Sequence, residues 1–376
     1  MMYGGRKSRA LLAVLAAAGV AGAFDAQAGA TINIGEDKSV SVGFGLRESY
    51  TSAEHGAPDG SRSSDFNLDS ARLFFGASLN KNIKGMLNTE WDGNQIRVMD
   101  AAGQFAISPE LNIWAGRLLS PSDRANMAGP YYSMGGGYWA GVASRYGYNG
   151  GIFRGRDDGV VVWGNAVGGK LGYSFGVFEG HTFGIGALTQ NQAKAAGIKS
   201  SDNLMYAGRL QYDFWDAEPG YYGTGNYLGD KDILAIGVAA RTQNNGVLTV
   251  GRTGDYASWN VDFLMEKRFG DAGALALEAA YYDYDTDDVI KSEQGKAYSA
   301  GVSYIFGQKA GWGKLQPFAH FQKFSPDTNL DTKQTDAGVN YIIDGYNAQL
   351  SAVYSKTKVG NASSLDKFVV ALQLQY

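Results

Sequence analysis

Apolar and polar residues alternate with a period of two along most of this chain. In the last nine residues, Phe368, Val370, Leu372, Leu374 and Tyr376 share one parity, and Val369, Ala371, Gln373 and Gln375 share the other. A strand sends successive side chains to opposite faces, so this segment has one apolar and one more polar face. It is about as long as a bilayer-crossing strand, and it ends on an aromatic residue. The pattern opens at Ser39–Leu46 and recurs, bounded by turn residues, at Ala71–Leu79, Ile83–Asp92, Ile96–Ile107, Leu111–Leu118, Gly159–Ala166, Lys170–Phe178 and Asn203–Trp215. The second half adds Asp232–Gln243, Tyr256–Lys267, Ala274–Tyr284, Ala297–Phe306, Leu315–Phe324, Thr335–Ile343 and Asn347–Lys356 before the closing segment. The predicted elements are therefore about sixteen strands and no long helix.

The connections alternate in length. Long loops are expected at Thr51–Asp65, Leu119–Asp158, Glu179–Asp202, Asp285–Lys296 and Ser325–Gln334. Tight turns fall between them at Asn80–Asn82, Ser108–Glu110, Val167–Gly169 and Asp344–Tyr346. Long loops on one side and short turns on the other are the habit of transmembrane barrels, and a soluble sandwich has no reason for it. Two connections depart from the rule: Asp216–Lys231 is long where a turn is expected, and Gly93–Gln95 is short where a loop is expected. The fold class predicted is all-β, a transmembrane antiparallel β-barrel.

Composition adds a compartment. Arg6, Lys7 and Arg9 precede an apolar run, Ala10–Phe24, and Ala26-Gln27-Ala28 offers small residues for cleavage. Residues 1–28 read as a signal peptide and 29–376 as the barrel domain. The apolar run is too short to span a bilayer as a helix. Among 376 residues there are 53 Gly, 23 Tyr, 18 Phe, 7 Pro and no Cys. The Gly and aromatic content suits a large curved sheet with aromatic girdles. The missing Cys excludes disulfides and iron–sulfur clusters. Without the signal, 30 basic and 36 acidic residues leave a net charge of -6, which gives no global pull toward nucleic acid.

A sheet can span hydrocarbon only by closing on itself, and sixteen strands enclose water rather than a packed core. The parity opposite the apolar one should then be wet; it carries Arg72, Lys84, Glu90, Gln104, Arg209, Gln211, Asp213, Arg241, Asn260, Asp262, Glu266 and Glu278. The leader-proximal stretch Gly29–Lys38 is too short to be a plug domain. The longest loop, Leu119–Asp158, holds Arg124, Arg145, Arg154 and Arg156 against Asp123, Asp157 and Asp158. Guanidinium groups bind phosphate and carboxylate through paired N–H bonds. These four, with Arg72, Arg209 and Arg241 on the wall, are the candidate anion path; the alternative is a solvated surface loop.

Several stretches resemble the phosphate-selective porin O and P family. They are Phe66–Gly76 with its Arg72, Trp114–Pro121, Gly155–Gly164 and Phe214–Ala235. The resemblance extends over essentially the whole of 29–376. It implies a sixteen-stranded outer-membrane homotrimer with an inward-folded third loop, selecting phosphate through Arg ladders and a Lys cluster. Here no Lys lies between Lys84 and Lys170, which departs from that pattern and leaves a broader anion-preferring or general pore open. The expected partners are outer-membrane lipid, small anionic solutes, further copies of the chain, and the barrel-assembly machinery through Phe368–Tyr376. Nucleic acid is not expected, and neither are cofactors.

Two other classes compete. An outer-membrane enzyme would need a base, yet His55, His181 and His320 stand in no HExxH, GxSxG or Cys–His arrangement. A structural or adhesive barrel would share the fold and differ in passing no ions. Asp283, Asp285, Asp287 and Asp288 alternate suggestively for calcium. Counted from Asp283, however, the EF-hand glycine and glutamate positions hold Asp288 and Gln294, so the stretch reads as an acidic loop tip.

Overall fold

The computed structural model describes residues 29–91, 93–135, 141–146, 155–180, 195, 203–249 and 251–376. The expected signal peptide, Arg154 and His181 lie outside these residues. Among the described residues there are eighteen strands: β1 (Ala30–Gly35), β2 (Lys38–Ala53), β3 (Ser63–Ser78), β4 (Ile83–Trp91), β5 (Ile96–Ser108), β6 (Leu111–Leu119), β7 (Arg156–Ala166), β8 (Leu171–Phe178) and β9 (Met205–Asp213). Then come β10 (Ile233–Thr249), β11 (Arg252–Arg268), β12 (Gly273–Asp285), β13 (Gly295–Phe306), β14 (Lys309–Ala310), β15 (Gly313–Pro326), β16 (Thr332–Asp344), β17 (Ala348–Val359) and β18 (Leu365–Gln375). Each pairs antiparallel with the next around the wall, and β18 pairs with β2 from Gly45 to Ala53 to close it. Leaving out β1 and the two-residue β14, the ring has sixteen strands, as the alternation predicts. A short helix, α1 (Arg124–Ala128), interrupts the long loop between β6 and β7, and no described helix is long and apolar enough to cross a membrane.

Closure is completed by an element the sequence does not announce. The backbone of Tyr376 exchanges hydrogen bonds with Phe44, at 2.7 and 2.9 Å, and there the closing strand stops. From Val42 back to Lys38, β1 takes over the edge of β2. Gly29–Lys38, expected only to be too short for a plug, thus covers backbone groups that β18 does not reach.

Strand boundaries are where the sequence reading needs correction. The first strand runs to Ala53 rather than Leu46, the second begins at Ser63 rather than Ala71, and β10 and β11 extend to Thr249 and Arg252. The loop expected over Thr51–Asp65 shrinks to 54–62 accordingly. Outside the bilayer both faces of a strand meet water, so the ladder continues while the apolar alternation that signals it stops.

The wall inverts the polarity of a soluble domain. Along β10, Ile236 and Val238 are 42% and 46% exposed, whereas Arg241 and Gln243 are only 3% and 7% exposed. Exposed apolar residues recur on the same parity around the ring, among them Phe44, Leu73, Leu210, Val302, Leu350 and Phe368. Every residue assigned above to the wet parity is buried or half-buried. Apolar side chains point to lipid and charged ones to the interior, which is the arrangement of an outer-membrane barrel.

Candidate functional site

Two segments enter the barrel from opposite ends. The first is the loop between β6 and β7, residues 120–155. Hydroxyl and amide groups on many strands hold its described part against the inner wall. The Tyr131 hydroxyl donates to Ser70 Oγ on β3 at 3.1 Å, and Gln373 on β18 donates to the Tyr131 carbonyl at 3.0 Å. Asn340 on β16 donates to the Met134 carbonyl at 3.0 Å, and Gln322 on β15 accepts the N–H groups of Val142 and Ala143. On β12 the Tyr282 and Tyr284 hydroxyls donate to Asp123 and to the Ala143 carbonyl, both at 2.8 Å. A loop with this many inward attachments cannot lie on the surface. Gly155 ends it in a left-handed conformation at φ +77°, where a Cβ would stand 2.9 Å from Asn126; only glycine turns the chain back into β7 there.

The second segment is the connector between β9 and β10, residues 214–232, the one expected inner turn that is long. Tyr221 and Tyr222 pack on Trp114 and Trp163, with ring centroids 5.0–6.0 Å apart. The Tyr221 hydroxyl donates to the Leu119 carbonyl at 2.5 Å. The connector touches the loop directly, since the Gly225 N–H donates to the Tyr132 carbonyl at 2.7 Å. A Cβ at Gly225 would come within 2.8 Å of that carbonyl oxygen.

The junction is charged and largely paired. Arg124 grips Glu218 with two bonds of 2.7 Å, and Arg209 grips Asp262 with bonds of 2.6 and 2.8 Å. The Arg124 backbone N–H also donates to Asp262, at 3.1 Å. Burial would raise the Glu218 carboxyl, but Arg124 and the Tyr227 hydroxyl outweigh it and hold it below the usual range. Asp123 shows the opposite balance. Burial and the neighbouring Asp262 charge push it up to about 6, against the donors Tyr282 and Ser144.

The six described arginines of the expected anion path divide accordingly, Arg154 lying outside the described residues. Arg124 and Arg209 share the junction network; Arg72 pairs with Glu90 at 3.0 Å and Arg156 with Asp100 at 3.1 Å. Arg145 pairs with Glu293 and stacks 4.4 Å from the Phe324 ring centroid. Arg241 differs: its guanidinium donates to Ser120 Oγ at 2.6 Å and lies 4.8 Å from the Tyr146 ring centroid. A cavity of about 320 Å³ between loop and connector is lined by Arg72, Asp100, Arg156, Tyr132, Glu218 and Lys231. A larger one, about 690 Å³, lies below it at the periplasmic turns.

Sequence reasoning misses three residues of this constriction. Arg47 faces inward beside Tyr131, 5.7 Å from its ring centroid, one position past the expected end of the first strand. Glu218 and Lys231 belong to the connector, whose anomalous length was the available signal. Among the other classes considered, His55 is exposed and bonded to the Gly60 carbonyl, and His320 is buried against Glu278. No metal-holding cluster occurs among the described residues.

Searches of family models and of curated proteins return no match. Solved structures do match. The anion-selective porin of Comamonas acidovorans is 12% identical, with a TM-score of 0.61, over 90% of this chain and all of that one. OprB of Pseudomonas putida is 11% identical at 0.65, over 90% and 94%. A trimer form of OmpT, an outer membrane protein of Vibrio cholerae, is 14% identical at 0.56, over 91% and 100%. With its closed sixteen-stranded wall, outward apolar belt and polar interior, the chain has the fold of the bacterial outer-membrane porins.

Proposed function

We propose that the protein is a porin through which small hydrophilic solutes diffuse passively across the outer membrane, with a mild preference for anions. The supporting observation is the inverted wall: a ring this wide cannot fill its interior with wall side chains alone. The side chains it buries are charged and amide-bearing, and they flank cavities.

The anion preference is a finer reading and rests on pairing. Carboxylates neutralise most of the interior arginines, so those are positioning devices as much as ion-binding groups. Among the described residues, Arg241, Arg47 and Lys84 face inward with no carboxylate salt-bridge partner. At close range such charges influence a permeating ion more than the distant acidic surface does, because salt screens beyond ~8–10 Å. The anion-selective Comamonas neighbour is compatible with this, and membership of the phosphate-selective O and P family is its most specific form. Homotrimerisation, processing after Ala28 and recognition of Phe368–Tyr376 by the assembly machinery belong to the same reading. Reversal potentials across a KCl gradient test it: chloride should permeate faster than potassium. Cation preference would overturn the selectivity, and absence of conductance would overturn the pore.

A further inference from the structure

The periplasmic cavity is built unlike the rest of the lumen. Wall strands β4–β7 and the connector enclose it, and its surface is mostly apolar. Register places its key side chains in line. Lys84 on β4 is the cross-strand partner of Gln104 on β5, and Gln104 is the partner of Trp114 on β6. Neighbours in such a row stand ~5 Å apart on one face. In the next row Asn112 pairs with Trp163. The two indoles meet edge to face, with centroids 5.3 Å apart and planes at 85°, so they form a corner of aromatic surface.

Charge and hydrogen bonding point the same way. Lys81 and Lys84 line the cavity against a single carboxylate, Glu110. Among the described residues neither lysine has a salt-bridge partner, in contrast to the paired arginines above. Gln104 and Trp163 are more than nine-tenths buried, and the Gln104 Nε2 and Trp163 Nε1 donors find no acceptor in the protein. Buried donors are normally satisfied, so two unpartnered N–H groups lie within this wall, and the cavity presents positive charge beside an apolar corner. The volume, about 690 Å³, falls within the range of small-molecule sites.

We infer that this cavity is a subsite for a small organic anion: a carboxylate carried on a flat apolar or aromatic body. The carboxylate meets Lys84 and Lys81, and the body lies against Trp114 and Trp163, where ring stacking adds to burial. A fully hydrated inorganic ion would use only the charged half of such a site. The inference deepens the porin reading and rests on it for the solute's route.

The test is binding of 4-fluorobenzoate to the full barrel in mild detergent, read by fluorine NMR, beside single-channel recording with the same compound. Binding should saturate and weaken about tenfold in Lys84→Gln, the loss expected for one charge-assisted contact. Trp163→Phe, which keeps most of the packing and removes the N–H, should weaken it less. Neutral 4-fluorobenzamide and inorganic phosphate should both bind at least about tenfold more weakly than 4-fluorobenzoate. Equal affinity in Lys84→Gln, uptake no greater than by detergent alone, or phosphate binding as tightly as 4-fluorobenzoate would each overturn the proposal. Because binding is read without current, a barrel that binds 4-fluorobenzoate yet conducts no ions would defeat the porin reading alone.

Discussion

The described part of the loop of residues 120–155 and the connector of residues 214–232 both fold into the barrel, but they are held there differently. The loop is attached at many points by single hydroxyl and amide hydrogen bonds to β3, β12, β15, β16 and β18. The connector is also hydrogen-bonded to the wall, with Glu266 accepting the Tyr227 and Gly229 N–H groups at 2.6 Å and Asn165 accepting the Gly220 N–H, but it adds the Trp114–Trp163–Tyr221–Tyr222 cluster and the Arg124–Glu218 clasp that ties it to the loop. Spread attachment tolerates the loss of any one bond. The clasp is the connector's costliest single attachment to break, because a buried charge that loses its partner costs far more than a lost hydrogen bond.

The largest test of that contrast is Glu218→Ala. It leaves the Arg124 guanidinium, whose side chain is only 5% exposed, with Asp262 at 4.0 Å as its carboxylate and the Thr224 carbonyl as acceptor, and should cost about 3 kcal/mol. The connector should loosen and single-channel conductance rise; an unchanged conductance and an unchanged midpoint in denaturant would show that the clasp does not hold the junction.

Next comes Asp123, on the loop side. Its carboxyl titrates near 6 in the folded barrel, above the ordinary carboxylate value of 3.8. The folded state therefore disfavours the ionised form. Stability falls as pH rises from about 4 to about 6 and is level above that, by up to about 3 kcal/mol. Asp123→Asn should flatten this dependence in denaturant titrations at pH 4, 5 and 7. A variant that keeps the wild-type slope would place the titration elsewhere.

A matched pair compares the two attachments directly. Tyr221→Phe removes the connector's bond to the Leu119 carbonyl and should cost about 1 kcal/mol. Tyr131→Phe removes one of the loop's many bonds and should cost no more than that, with conductance unchanged. If Tyr131→Phe proves the more damaging, the loop is not held in a distributed way. The smallest effect is expected from Arg241→Ala, a decrease in chloride-over-potassium permeability of less than about twofold, in keeping with one screened charge among several. Its readout is the reversal potential.

Much of this was legible in the sequence. Alternation in Phe368–Tyr376 fixed which side chains face lipid, since a strand in the bilayer has no other way to present one apolar face. The same parity placed Arg72, Arg209, Arg241 and Asp262 indoors. The ends of β2, β3, β10 and β11 were not legible, because outside the bilayer nothing forces alternation. Arg47 was lost for that reason, falling one residue past Leu46. The connector's length could be seen, but not that its tyrosines seek two tryptophans 49 residues apart in sequence, Trp114 and Trp163.

The sequence by itself determined the barrel, its strand number and the polarity of its two faces, because those follow from a local period of two acting under the rule that every backbone group in hydrocarbon must be paired. Only the tertiary structure decided what the interior charges do. Whether Arg124 attracts a passing anion or clasps Glu218, 94 residues away, depends on which acid the fold brings within reach. Electrostatic partnership falls off over a few ångströms, and no local pattern in the chain encodes it.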